Sequence, residues 1–104
     1  MTVQTQAVLH ALLAAPDTEL YGLKIAELTN LLPGTTYPIL VRLQRAGWIA
    51  DRWETINPHD EQRPRRRYYK LTDDGAKQAR AALSASRSQL GQTVRRWGTI
   101  EGVV

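Results

Sequence analysis

One segment decides how this sequence can fold: Gly34-Thr35-Thr36-Tyr37-Pro38-Ile39-Leu40-Val41-Arg42-Leu43. At about 3.6 residues per turn, a helix through this segment has two distinct faces. The face predicted to lie in the core carries Thr36, Ile39, Leu40, Leu43 and Gly47. The outward face carries Gly34, Thr35, Pro38, Val41, Arg42 and Arg45, with Tyr37 on its flank. The segment therefore predicts an amphipathic helix with one side free for a partner.

The ends of this helix are marked by proline and glycine. It is expected to begin near Pro33, because proline suits the first turn of a helix, and to end at Gly47, a typical C-terminal stop. Pro38 would lose a hydrogen bond in the helix interior. A second start is therefore open, with Thr35 as the N-cap and Pro38 in the donor-free first turn. Both starts are compatible with the sequence.

Two further helices are predicted before this one. The first spans about residues 5–15 and is apolar on more than one side, so we expect it to pack against a second surface as well as its own core. The second spans residues 22–29, with Ile25 and Leu28 facing inward. Residues 30–32 leave room only for a tight connection. The pattern is that of a helix-turn-helix.

After the third helix the pattern changes to that of a β-hairpin. Residues 48–56 are rich in β-branched and aromatic side chains and predict a strand. Residues 57–66 are too polar to be buried and predict a loop, and residues 67–71 return as a second strand. We call residues 48–71 the wing.

A long helix follows the wing and extends to about Trp97. Thr72 is the predicted N-cap, and Asp73 and Asp74 lie in the first turn, where the helix dipole favours anions. Seven positions follow the alternating three-and-four spacing of a coiled-coil seam: Ala76, Ala79, Leu83, Ser86, Leu90, Thr93 and Trp97. One small domain cannot cover this whole stripe. We therefore expect a homodimer formed through this helix and the N-terminal helix.

The order of these elements is that of a winged helix-turn-helix. The predicted fold class is mainly α with a small β-hairpin wing (α+β) and a long C-terminal dimerisation helix. We divide the chain into a winged helix-turn-helix DNA-binding domain at residues 1–72 and a dimerisation helix with a tail at residues 73–104.

Positive charge is concentrated in the middle of the chain. Residues 33–72 carry eight Lys and Arg against four Asp and Glu, within a formal net charge of +4. Arginines in a wing can follow the DNA backbone or enter the minor groove, while the N-terminal end of the third helix enters the major groove. We expect both elements to face the same side. The predicted DNA-binding residues are Thr35, Thr36, Tyr37, Arg42, Arg63, Arg65, Arg66 and Arg67.

The composition argues against catalysis, metal binding and a membrane. The sequence has no cysteine, which removes thiolate chemistry and suits a reducing cytoplasm. Ser84, Ser86 and Ser88 have no histidine at a spacing that would activate them, and no glycine-rich phosphate cradle is present. His59-Asp60-Glu61 has no further ligand that converges on it. We expect a cytoplasmic protein that is not an enzyme, needs no cofactor and has neither an export signal nor a membrane span.

Three segments resemble the PadR family of bacterial regulators. They are Tyr21-Gly22-Leu23-Lys24-Ile25-Ala26, then residues 34–43 with Gly47, and then Arg67-Tyr68-Tyr69-Lys70-Leu71-Thr72-Asp73-Asp74-Gly75. The resemblance covers about residues 8–83, and the short C-terminus is similar to the small subgroup with one C-terminal helix. It implies a dimeric winged-helix repressor that tolerates a proline at position 38. The sequence departs from the family in the wing loop, which contains prolines and acids, and in the small residues of the seam.

The resemblance also implies a possible ligand. Some members release DNA on binding an aromatic compound, and Trp97 beside its symmetry mate is the candidate residue for such a site. The commoner role of tryptophan favours Trp97, Trp48 and Trp53 as core or interface anchors instead. A second function stays open, in which the winged helix binds an acidic protein surface and does not read DNA. For the DNA-binding function, twofold symmetry predicts an inverted-repeat operator on double-stranded DNA.

Overall fold

A computed structural model of the chain describes residues 1–96, with side chains described for residues 1–87. The elements are α1 (Val3–Ala14), β1 (Leu20–Tyr21), α2 (Gly22–Thr29), α3 (Pro33–Arg45), β2 (Ile49–Trp53), α4 (Pro58–Glu61), β3 (Arg67–Leu71) and α5 (Asp73–Arg96). The predicted fold class is confirmed, since helices dominate and a small antiparallel sheet carries the wing. In the described part, no helix combines the length and the apolar character needed to cross a membrane.

The sheet has one strand more than the sequence predicts. β3 lies in the middle, between β1 and β2, and both pairings are antiparallel. β1 pairs Leu20 with Tyr69 and Tyr21 with Tyr68. A strand of two residues shows no alternation of apolar and polar side chains, so periodicity does not reveal it. Its consequence is that the start of α2 is tied directly to the wing.

The core lies where α1, α2, α3 and α5 meet the inner face of the sheet. Its buried members are Val8, Leu9, Leu12, Ile25, Ile39, Leu40, Leu43, Ile49, Tyr69, Leu71, Ala79 and Leu83. All but Tyr69 are aliphatic, and each of the four long helices contributes at least one of them. The burial of these side chains supplies most of the driving force for folding.

In α2, one of the two residues predicted to face inward is buried and the other is exposed. Ile25 is buried as expected, but Leu28 is 52% exposed. The buried arc of the helix is centred between Gly22, Ile25 and Ala26, and Leu28 falls outside it. The helix ends at Asn30, which takes the left-handed conformation with φ 58°.

In α3 the predicted core face is confirmed, since Thr36, Ile39, Leu40 and Leu43 are all buried. Of the two predicted starts, the structure has the one at Pro33. Leu32 is the N-cap, so the alternative N-cap is wrong and the proline at position 38 lies inside the helix.

The placement of Gly47 on the core face of α3 was wrong. Gly47 is exposed rather than part of the core. It terminates the helix as predicted, with φ 77°, a left-handed conformation that glycine adopts without steric cost.

The wing loop holds a short helix that the sequence does not predict. Within the predicted loop, α4 forms one helical turn, which Asn57 caps by accepting a hydrogen bond from the His59 backbone N–H at 3.0 Å. None of residues 54–66 is buried, which agrees with the predicted polarity. The path between β2 and β3 is therefore set by polar contacts.

The start of α5 is confirmed in detail. The Thr72 hydroxyl oxygen accepts a hydrogen bond from the Gly75 N–H at 2.8 Å, as an N-cap does. A Cβ on Gly75 would lie 1.8 Å from the Trp48 carbonyl oxygen, so the helix approaches the backbone of the wing at this glycine. Ala79 and Leu83 from the predicted seam pack into the core of their own domain.

The later seam positions cannot be compared in the same way. The seam residues Leu90 and Thr93 lie beyond the last residue whose side chain is described, and Trp97 lies outside the described residues altogether. Dimerisation along this part of the seam stays a prediction.

Candidate nucleic-acid interface

The outward face of α3 is exposed, as predicted. Thr35, Pro38, Val41 and Arg42 all lie at the surface. The helix carries no acidic residue, and no side chain caps its N-terminus. The first-turn N–H groups and the outward arginines therefore give this face a uniformly positive character.

Thr36 does not belong to this surface, which corrects its place among the predicted DNA-binding residues. Its side chain is 0% exposed. Its hydroxyl donates a hydrogen bond to the Leu32 carbonyl oxygen at 3.1 Å. Because the hydroxyl is satisfied inside the protein, Thr36 fixes the first turn of α3 and cannot contact a duplex.

The Tyr37 side chain extends from the flank of α3 and packs over the start of α2. A Cβ on Gly22 would come within 2.6 Å of the ring atom Cε1 of Tyr37 and 2.7 Å of its hydroxyl oxygen. Only a glycine leaves room for this approach. The Tyr37 side chain is 40% exposed, so it packs on α2 and still presents part of its ring and hydroxyl to solvent.

A surface cavity of about 550 Å³ joins α2, α3 and the wing. Its lining residues are Tyr21, Gly22, Leu23, Glu27, Tyr37, Trp53, Arg63, Pro64, Arg65, Arg66, Arg67 and Tyr69. Five of the eight predicted DNA-binding residues are among them. The structure therefore brings the flank of α3 and the four arginines of residues 63–67 to one side of the molecule, while Thr35 and Arg42 lie on the adjoining exposed face of α3.

Two of the four arginines at positions 63–67 are paired with acids from the other side of the wing. The fifth arginine of the wing, Arg52, is paired with Glu19. Arg63 donates from both terminal nitrogens to the Glu54 carboxylate, at 2.6 and 3.0 Å. Arg67 Nε donates to Asp51 Oδ2 at 2.6 Å, and its Nη2 donates to Gln44 Oε1 at 3.3 Å. Gln44 Nε2 closes the ring by donating to Asp51 Oδ1 at 2.6 Å. These pairs join the wing to itself and to α3, and they neutralise two of its charges.

The other two arginines, Arg65 and Arg66, lie between the paired ones in sequence and have no acidic partner within the described residues. Arg65 Nε donates to the Ile56 carbonyl oxygen at 3.1 Å. The Arg66 guanidinium lies 4.2 Å from the centre of the Tyr21 ring, within the range of a cation–π contact. Within residues 1–87 neither forms an ion pair with an acid. Arg65 and Arg66 are therefore the two arginines of residues 63–67 whose charge no acid neutralises within the described residues.

Sequence reasoning missed Glu54, which organises the wing from the end of β2. Its carboxylate accepts hydrogen bonds from Arg63, from the Arg66 backbone N–H at 3.3 Å and from the Tyr68 hydroxyl at 3.1 Å. The Arg63 guanidinium is the main reason that the pKa of Glu54 is held at about 2, with the Arg66 and Tyr68 donors contributing. The available sequence signal was that Asp51 and Glu54 stand three residues apart opposite a basic strand.

The tryptophans differ in their surroundings. Trp48 is partly buried against the core, which matches the anchor role favoured from the sequence. Trp53 is 59% exposed and lines the cavity. Trp97, the candidate ligand residue, lies outside the described residues, so its role stays a prediction. Among described residues, no three His, Cys, Asp or Glu side chains converge as a metal site would require.

The chain was compared with known proteins. Residues 8–81 match the family model described as the transcriptional regulator PadR-like family. A comparison with curated protein sequences gave no match.

Among solved structures, the chain is similar to MepR, a transcription regulator of the multidrug efflux pump MepA of Staphylococcus aureus. The identity is 23%, the TM-score 0.67, and the match covers 92% of this chain and 65% of MepR. It is similar to a PadR-like transcriptional regulator from Bacillus cereus, with 24% identity, a TM-score of 0.65 and coverage of 91% and 90%. It is also similar to Bacillus subtilis PadR in complex with operator DNA, with 23% identity, a TM-score of 0.63 and coverage of 79% and 48%.

At these identities the structural likenesses establish the winged-helix fold. The chain spans 65% of the length of MepR and 48% of the length of the Bacillus subtilis protein.

Proposed function

This chain belongs to the PadR-like family of transcriptional regulators, and we propose that it binds double-stranded DNA as a dimeric repressor. Membership of a family of regulators confirms the expectation that the protein is not an enzyme.

The observation that carries the proposal is the shared cavity between α3 and the wing. Tyr37 comes from the flank of α3, and Arg65 and Arg66 come from the wing, yet all three line one opening. A duplex is wide enough to touch both elements at once, with α3 in the major groove and the wing along the adjacent backbone. If these groups faced different sides, the same residues could not act together on one DNA molecule.

Each element has a distinct task in this proposal. Thr35 at the leading end of α3 and Arg42 on its outward face contact base edges or phosphates in the major groove. Tyr37 contacts the backbone at the edge of the groove. Arg65 and Arg66 neutralise phosphates beside it. Arg63 and Arg67, which were predicted to bind DNA directly, instead hold the shape of the wing through their acidic partners.

The proposed dimer is supported by α1 and α5. α5 is 24 residues long, but its buried described positions all lie in its first half: Gly75, Ala79 and Leu83. On α1, the apolar side chain of Val3 is 78% exposed. A second subunit would cover both surfaces. Twofold symmetry then requires an inverted-repeat operator with half-sites about one helical turn apart.

The test is the salt dependence of DNA binding. We expect the protein to retard its own upstream region more than a random duplex in a mobility-shift assay. A dimer that neutralises about six to ten phosphates should lose about three to five decades of affinity between about 50 and 200 mM salt. Arg66→Ala should reduce the slope of log K against log salt by about one for each phosphate that this arginine neutralises, whatever the DNA sequence.

Two variants serve as controls for that experiment. Lys77→Ala removes the same charge from an exposed position on α5 outside the cavity, and it should leave the slope nearly unchanged. Arg42→Ala should instead weaken the preference for particular bases. If neither the upstream region nor a random duplex is retarded at low salt, DNA binding is wrong, and the protein-binding alternative replaces it.

A further inference from the structure

Glu54 is a negatively charged residue that binds Arg63 and Arg66, two residues of the surface that is proposed to bind a polyanion. It follows β2 directly, and its side chain is only 14% exposed. Its carboxylate binds two nitrogens of Arg63, the backbone N–H of Arg66 and the hydroxyl of Tyr68. All of these donors come from the returning side of the wing.

The contacts of Glu54 hold the two sides of the wing together in a stretch that has no buried residue. The backbone adds one more tie, since the Glu54 N–H donates to the Arg66 carbonyl oxygen at 2.8 Å. Since none of residues 54–66 is buried, no fully buried apolar side chain anchors this stretch in the core. Its conformation depends on hydrogen bonds and ion pairs, and several of them end on one carboxylate.

These contacts determine where Arg65 and Arg66 lie. The carboxylate binds Arg63 on one side of this pair and the backbone of Arg66 itself. On the other side, Arg67 is bound to Asp51. The two arginines that have no acidic partner within the described residues are thus positioned by neighbours that do.

We infer that Glu54 is a positioning residue for DNA binding: it fixes the wing in the shape that presents Arg65 and Arg66 to the phosphates. This inference rests on the proposed function. It predicts that an acid in a DNA-binding surface strengthens binding to DNA, because the order it imposes on two cations outweighs the repulsion from its own charge.

A purely electrostatic account predicts the opposite sign. Removing a negative charge close to DNA, and releasing Arg63 from its ion pair, should tighten binding and steepen its salt dependence. The two accounts therefore differ in the direction of the effect as well as its size, which makes the test decisive.

The experiment compares Glu54→Gln with Glu61→Gln in full-length protein on the same duplex. Both changes remove one negative charge from the wing. Glu61 is exposed on α4, and its side chain makes no hydrogen bond within the described residues. We expect Glu54→Gln to bind DNA about tenfold more weakly, with the salt slope reduced by about one to two, and Glu61→Gln to bind as tightly as wild type or slightly more tightly.

The salt slope separates positioning from a loss of folded protein. A smaller folded fraction lowers the apparent affinity at every salt concentration and leaves the slope unchanged, whereas a wing that neutralises fewer phosphates gives a smaller slope. Tyr68→Phe provides a second variant that keeps the net charge and the ring. It removes one donor to Glu54 and should weaken binding in the same direction by a smaller factor.

The outcomes distinguish this inference from the proposed function. If wild type binds and Glu54→Gln binds as well or better with an equal or steeper slope, only the positioning role is wrong. If Glu54→Gln does not fold, a slope for Tyr68→Phe equal to that of wild type overturns the positioning role. If wild type itself binds no duplex, the proposed function fails and this inference fails with it.

Discussion

Helix α3 and the wing face the same side of the molecule, but they are held there by different forces. α3 is fixed by four buried side chains, and its outward face makes no ion pair within the described residues. In the wing, residues 54–66 contain no buried side chain and are fixed by Glu54 and Asp51. α3 is therefore stabilised by the core, and residues 54–66 of the wing by polar and charged contacts.

The two elements are therefore expected to respond differently to salt and pH. Burial of apolar surface does not depend on a titrating group and changes little with moderate salt, so α3 keeps its place as long as the domain is folded. Attraction between partly exposed charges is weakened by salt and disappears when the acid is protonated. Residues 54–66 can therefore lose their order while α3 remains in position.

The largest expected effect is on the core side of α3. Leu40 is 0% exposed, and Leu40→Ala should lower the free energy of unfolding by about 2–5 kcal/mol, because it removes buried methyl groups and leaves a cavity. The adjacent Val41 is 40% exposed, and Val41→Ala should change it by about 0.5 kcal/mol or less. Asp51→Asn in the wing should cost about 1 kcal/mol at most. Denaturant unfolding measures all three.

A loss of stability in Asp51→Asn as large as that in Leu40→Ala would contradict the difference expected between the core and the wing. The ion pair of Asp51 with Arg67 would then carry more stability than partly exposed pairs normally provide.

A smaller effect is expected where α3 meets the start of α2. Gly22→Ala places a Cβ within 2.6 Å of the Tyr37 ring. Because Tyr37 is partly exposed, its side chain can swing outward, and we expect the free energy of unfolding to fall by about 1 kcal/mol. DNA binding should weaken as well, since the ring leaves the cavity.

Gly34→Ala is the matched control for this change. A Cβ at Gly34 would meet no atom within 4 Å. The same substitution should leave stability unchanged or raise it by less than about 1 kcal/mol, because alanine is the better helix former. An equal loss of stability in both variants would show that the contact between Tyr37 and Gly22 does not set the packing of α2 on α3.

The contrast between the two elements also explains how far the sequence could predict them. α3 was predictable because its core face follows from helical periodicity alone, a property of neighbours in sequence. The same argument failed for Leu28, since α2 has only eight residues and the position of its buried arc depends on how it crosses its neighbours. Periodicity identifies a face, but packing determines its centre.

In the wing, the candidate DNA-binding residues could be predicted by type but not by their contacts. Four arginines in five residues pointed to DNA, yet two of them are bound to acids from another strand. Those pairs depend on the register of β2 against β3, which places Asp51 and Glu54 beside the returning chain. A count of charges along the sequence does not contain that register. Thr36 shows the converse, because its helical position already placed it in the core.

The smallest effect is expected from protonation of Glu54, and it tests the comparison most directly. The pKa of Glu54 is held at about 2, mainly by Arg63, against an ordinary value of 4.5. Because the folded-state pKa lies below the unfolded one, the stabilisation is fully present above about pH 4.5 and is lost as the pH falls towards about 2. Its size is limited, since the Arg63 side chain is 31% exposed and solvent screens the pair.

The measurement is the melting temperature of wild type and Glu54→Gln from pH 7 to pH 2. Wild type should melt higher at pH 7, and the gap should close towards pH 2, where the protonated acid resembles the amide. The gap between wild type and Leu40→Ala should persist over the same range, because no titrating group contributes to it. A gap for Glu54→Gln that stays constant with pH would mean that the carboxylate acts through packing rather than charge, and the wing would then be held by the same force as α3.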